Sequence, residues 1–93
     1  MKKSRGKILW VDDEIEHLKP HILFLEEKGY NLTTVTNGRD ALDYLKADYY
    51  QLLLLDQFMT GMDGMDTLRL VKELKPSLPV IMITKSEEEW LME

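Results

Sequence analysis

The sequence predicts an open α/β domain, a doubly wound parallel sheet with helices on both faces. Two observations carry this. Short apolar runs alternate with segments of helical periodicity, the pattern of βαβ units. One run, Leu52-Leu53-Leu54-Leu55, has no polar face, so its strand must be covered on both sides and lie centrally. Right-handed crossovers with the two most apolar strands at the centre give the strand order 2-1-3-4.

The elements follow in order. Lys7 to Val11 (KILWV) is the first strand. Apolar residues then recur at Ile15, Leu18, Ile22 and Leu25, a helical stripe that Gly29 ends. Pro20 falls inside it, where it either kinks the helix or takes an early position in the main helical body. Leu32 to Thr36 alternates and is less apolar, as an edge strand is. Asn37 caps a short helix to about Lys46, with Asp40 three residues on. Gln51 to Leu55 is the third strand. The turn-rich stretch Gln57 to Gly64 leads into a helix ending near Leu74. Pro79 opens the fourth strand (PVIMI), where its missing N–H does least harm. Ser86-Glu87-Glu88-Glu89 reads as a capping box that starts a fourth helix.

Composition narrows the function. With 44% apolar and 31% charged residues, the 93-residue chain has surface enough to bury one small core, which excludes wholesale disorder. No apolar run is long enough to span a bilayer, and the basic start lacks the apolar stretch of a secretory signal. The absence of cysteine excludes disulfides, thiol catalysis and thiolate zinc sites, and fits a cytoplasmic setting. Net charge is −5, and four of the 12 basic residues lie at the start (Lys2, Lys3, Arg5, Lys7), so the body is more acidic still. Such a body repels nucleic acid phosphates, and the basic leader, with no interleaved aromatics, reads as a solvated tail.

The chemistry sits at strand ends. In open α/β sheets, ligands bind outside the carboxyl ends of the strands, where strand order reverses. The first strand ends in Asp12-Asp13-Glu14, the third in Asp56 and the fourth in Thr84. Three carboxylates in one pocket repel; at ~5 Å and an effective dielectric of ~20, each pair costs about 3 kcal/mol. Either one carboxyl keeps its proton or a cation neutralises the cluster. All-oxygen ligands favour Mg²⁺ or Mn²⁺ over zinc, and a bound cation prepares the pocket for an anion such as a phosphoryl group. The plainer reading is that Asp12 or Asp13 caps the first helix, with Glu16 completing a capping box on Asp13. Asp56 is harder to explain so, because a carboxylate directly after a core strand is costly without a partner.

These blocks, KILWVDDE (Lys7 to Glu14), LLLLDQFMTGMDG (Leu52 to Gly64) and PVIMIT (Pro79 to Thr84), make the chain resemble the receiver domains of two-component response regulators, along its whole length. The resemblance implies a flavodoxin-like fold and a phosphorylation-dependent signalling switch. By it, Asp56 is the phospho-acceptor, with a sensor histidine kinase as partner and phosphodonor. Asp13, Asp56 and the backbone carbonyl of Phe58 ligate Mg²⁺, with Asp12 acting through water. Thr84 hydrogen-bonds the phosphoryl oxygens and passes the signal to the helix after it. Such a domain is an autocatalytic phospho-acceptor rather than a turnover enzyme.

Three departures from the family pattern stand out. Thr60 occupies the position where the family usually has proline, which loosens the turn without removing a catalytic group. Lys85 follows Thr84 where a small residue is usual. The family continues into a fifth strand and helix that bear a phosphate-contacting lysine and an aromatic switch residue, so residues 1–93 are expected to be a receiver domain incomplete at its C-terminus, without its output domain. With the fourth strand then an apolar edge, self-association through it is expected. A finer resemblance (LWVDDEI, DQFMTGMDG and ITKSEEEWLME) is to regulators with a PglZ-type output domain associated with type IX secretion.

Other signals are weaker. His17 and His21 have helical metal spacing but lack the intervening Glu and a third ligand, and read as helix-face residues. Gly61 and Gly64 read as turn and cap residues outside any phosphate-cradling motif. Trp10 reads as core. Two alternatives to the switch remain: a Mg²⁺-dependent phosphohydrolase with an aspartyl nucleophile, although Phe58 stands where its second Asp would be, and a pseudo-receiver that is never phosphorylated.

Overall fold

The structure is a computed structural model and describes residues 5–84. Four parallel strands form one sheet: β1 (Gly6–Val11), β2 (Tyr30–Val35), β3 (Leu52–Asp56) and β4 (Val80–Ile83), in the order β2-β1-β3-β4. The expected topology is therefore found. β2 lies at one edge of the described sheet, and β3 is flanked by β1 and β4.

Three α-helices connect the strands: α1 (Lys19–Glu27), α2 (Gly38–Ala47) and α3 (Gly64–Leu74). Period-two alternation along β1 and β3 splits the core between the two faces of the sheet. Leu9, Val11, Leu53 and Leu55 join Ala41, Leu45 and Val71 under α2 and α3. Ile8, Trp10 and Leu54 face the other way, where Ile15, Leu18, Ile22 and Leu25 pack on them. The four-leucine strand is thus covered on both sides, and Trp10 is core.

The segment before α1 differs from a single helix. Ile15–Leu18 is a 3-10 turn, and the α-helix starts at Lys19 with Pro20 in its first turn. The ring of Pro20 would clash with the carbonyl of Glu16 in a continuous α-helix, whereas in the first turn its missing N–H has no intrahelical partner to lose. The C-terminus of α1 closes on Gly29, at φ 100°. The Asn37 side chain accepts from the Asp40 N–H at 2.8 Å and donates to the Asp40 carboxylate at 3.0 Å, which fixes the start of α2. Asp63 does the same for α3, accepting from the Asp66 N–H at 2.9 Å. Gly64 is therefore not the cap but the first residue of α3. A Cβ there would lie 2.5 Å from the Asp56 carbonyl oxygen and 2.6 Å from the Gln57 Cα, so glycine lets α3 abut the end of β3.

At the amino ends of the strands, Lys7 pairs with Asp48 at the C-terminus of α2, and its ammonium lies 5.1 Å from the centre of the Tyr50 ring. No described helix is long and apolar enough to cross a membrane. The helix expected from Ser86, and Lys85 with it, lie outside the described residues.

Candidate functional site

The site lies at the carboxyl ends of the strands, and register builds it. Val11 is paired with Leu55, so Asp12 and Asp56, the next residues on the two adjacent strands, emerge side by side. Strand order also reverses here: from β1 the chain goes outward to β2, then returns past β1 to β3. Asp12 and Asp56 are buried, at 0% and 1% exposure, while Asp13 is exposed. One carboxylate oxygen from each of Asp12, Asp13 and Asp56 lies within 4.8 Å of the others. Among the described residues this is the one group of three or more His, Cys, Asp or Glu that could hold a metal ion.

Each carboxylate is held by a different device. The Oδ1 of Asp12 accepts from the Glu14 N–H at 2.7 Å, a turn closed two residues on. The Oδ1 of Asp56 accepts from the Phe58 N–H at 3.1 Å. The Oδ2 of Asp13 accepts from the hydroxyl of Thr60 at 3.2 Å and from its N–H at 3.4 Å. No side chain caps the 3-10 turn or α1, so the capping role open to Asp12 and Asp13 in the sequence is not the one they take.

Thr84 directly follows β4. Ile83 is the register partner of Asp56, and the Gln57 N–H donates to the Ile83 carbonyl at 2.9 Å. This puts Thr84 at the same sheet edge as the acids, half-buried beside Trp10, Leu18 and His21. Phe58 sits on the loop immediately after Asp56 with its side chain 58% exposed. His17 stays near Glu14 at 3.8 Å, and neither histidine enters the acid cluster.

The donor set fits a hard divalent cation: three carboxylates, no sulfur and no imidazole, with one member open to solvent for bound water. Sequence reasoning missed the part played by Thr60. Its signal was present, a hydroxyl and an N–H where proline offers neither, but its partner lies 47 residues away.

Fold and site together define a flavodoxin-like domain with three carboxylates gathered at its topological switch point. The chain belongs to the response regulator receiver domain family, whose model matches residues 8–93. It is 39% identical over 77 residues to the transcriptional regulatory protein ZraR of Escherichia coli, a match that covers 83% of this chain and 18% of that protein. It is 37% identical over 86 residues to the transcriptional regulatory protein ResD of Bacillus subtilis, covering 92% of this chain and 35% of that protein. The chain thus spans about a fifth to a third of the length of these curated relatives. Among solved structures, it superposes with a TM-score of 0.80 on the response regulator protein TrrA from Thermotoga maritima in complex with Mg²⁺-BeF, at 31% identity, covering 95% of this chain and 73% of that one. The N-terminal domain of a response regulator receiver protein from Methanoculleus marisnigri gives 0.82 at 35% identity, covering 89% and 69%. The finer resemblance to PglZ-type regulators finds no support in these matches.

Proposed function

We propose that this domain is a phosphorylation-operated switch in which the carboxylate of Asp56 accepts a phosphoryl group from a histidine kinase. Receiver domains act in phosphorylation-dependent signalling with Mg²⁺, and a solved relative is a complex with Mg²⁺-BeF. The observation that carries the reading is the gathering of Asp12, Asp13 and Asp56 within 4.8 Å.

In the proposed step an Asp56 oxygen attacks phosphorus. A P–O bond forms to Asp56 and the bond from phosphorus to the donor nitrogen breaks, leaving imidazole to the kinase. Asp13, Asp56 and the Phe58 carbonyl would hold Mg²⁺ or Mn²⁺, with Asp12 acting through water. When bound, the cation supplies the positive charge that lets one anion approach another. The chain's own residues do the positioning. The Phe58 N–H fixes one oxygen of Asp56, and burial between β1 and β4 limits the directions from which the carboxylate can be reached. Thr84 is the proposed donor to the new phosphoryl oxygens, from just past the end of the strand beside Asp56. The output domain and the kinase are partners proposed from the family. Self-association through the outer edge of β4, where Ile81 is 52% exposed, is proposed as well; a stable monomer in light scattering at high concentration would remove it.

The test is intact-mass spectrometry after incubation with Mg²⁺ and a small acyl phosphate, on a chain extended past Glu93. One phosphoryl adduct per chain, absent in Asp56→Asn, is expected. An adduct that survives Asp56→Asn, or steady release of phosphate from an ester over many turnovers, would overturn the reading, the latter in favour of a phosphohydrolase.

A further inference from the structure

The three acids of the pocket are not equally constrained. Asp12 and Asp56 are buried, and each is anchored by an amide two residues along its own chain. Asp13 is exposed, and among the described residues its hydrogen-bond donors both come from Thr60, across the pocket on the loop after β3. The two bonds converge on one oxygen, Oδ2, at 3.2 Å from the hydroxyl and 3.4 Å from the N–H. A carboxylate offers about four lone-pair sites, so this arrangement satisfies one oxygen and leaves the other for a cation. Thr60 stands where the resemblance leads one to expect proline, which has neither a hydroxyl nor an N–H to give. The next residue, Gly61, turns the chain at φ 78°.

We propose that Thr60 is a positioning residue for the cation site, clasping the carboxylate of Asp13 so that it meets a divalent cation already oriented. The inference rests on the cation-site reading of Asp12, Asp13 and Asp56. It gives the chain a substitute for the stiffness that a proline would supply: the loop after β1 and the loop after β3 are tied by side chain rather than by ring. The physical basis is general. A partner that orients a metal ligand removes part of the ordering that binding must otherwise impose, and loss of such partners typically weakens metal affinity by about 10–100-fold. Thr60 is solvent-exposed, which puts the expected effect at or below the low end of that range.

Mg²⁺ titration followed by Trp10 fluorescence, in a Trp90→Phe background, tests this. Thr60→Val, which keeps the shape and the N–H but loses the hydroxyl, should weaken Mg²⁺ binding by about 3–10-fold. Thr60→Ser should stay within about twofold of the wild type, and Thr60→Pro, lacking both donors, should bind at least as weakly as Thr60→Val. In an Asp13→Asn background Thr60→Val should add less than about twofold, because its partner is gone. Urea midpoints without Mg²⁺ should be alike for the Val and Ser variants, which separates positioning from stability. Unchanged or tighter Mg²⁺ binding in Thr60→Val, or a Thr60→Ser that behaves like Thr60→Val, overturns the clasp while leaving the cation site intact. A wild type that binds no Mg²⁺ overturns the cation site and the clasp with it.

Discussion

The two ends of the sheet treat charge in opposite ways. At the amino ends, Lys7 meets Asp48 and the face of Tyr50, one cation matched to one anion. At the carboxyl ends, oxygens of Asp12, Asp13 and Asp56 are brought within 4.8 Å, acid beside acid. The first arrangement closes on itself and ties α2 to β1. With all three acids ionised the second would be repulsive, a cost that a bound cation would relieve. Parallel topology explains the placement. Every strand points the same way, so whatever follows the apolar runs collects at a single edge, and at the switch point two such ends become neighbours.

The largest effect should come from the contact that builds the carboxyl end. Gly64→Ala drives a Cβ against the Asp56 carbonyl and the Gln57 backbone, which cannot swing aside as a side chain can. It should destabilise the domain by about 3 kcal/mol, the upper part of the usual range for overpacking, measured by urea unfolding. An unchanged midpoint would mean that α3 is free to move away from β3.

Next comes the sign of a charge removal. Without divalent cations, Asp56→Asn should stabilise the fold by about 1–2 kcal/mol, a part of the ~3 kcal/mol per pair that Coulomb's law gives at ~5 Å. Saturating Mg²⁺ should shrink or reverse the difference, because the wild type then gains the binding energy. A destabilised Asp56→Asn under both conditions would place this carboxylate with the structural ion pairs of the other end.

The smallest effect is expected there. The ammonium of Lys7 and the N–H of Tyr49 hold the Asp48 carboxyl below its ordinary value of 3.8. A lowered folded value contributes stability that is full above the ordinary pKa and fades as pH falls through the folded one. Asp48→Asn should therefore cost slightly at neutral pH, less in high salt, and nothing once the pH is below both values. The Asp48 side chain is 52% exposed, so solvent screens the pair and the loss should be slight. A penalty that persists at acid pH would show that Asp48 acts through something other than its charge.

Much of this contrast was legible in the chain. Apolar runs placed all four strands and their order, since Leu52 to Leu55 admits only a central strand. Asn37 and Leu74 marked helix ends that the structure keeps. β2 starts two residues before the alternating stretch that marks it in the sequence, because Tyr30 and Asn31 pair with Gly6 and Lys7. The 3-10 turn before α1 was hidden because the apolar stripe continues through it, and only the ring of Pro20 breaks the geometry. The acids could be named from the sequence, since topology alone brings strand ends together. The Thr60 clasp could not, because it joins two loops through side-chain directions that no periodicity encodes.

Isothermal titration with Mg²⁺ on the wild type, Asp13→Asn, Asp56→Asn and Asp48→Asn addresses the pocket most directly. One Mg²⁺ per chain is expected in the wild type and in Asp48→Asn, with binding strongly weakened in the two pocket variants. Equal Mg²⁺ binding by all four proteins, or none by the wild type, would contradict the cation-site reading.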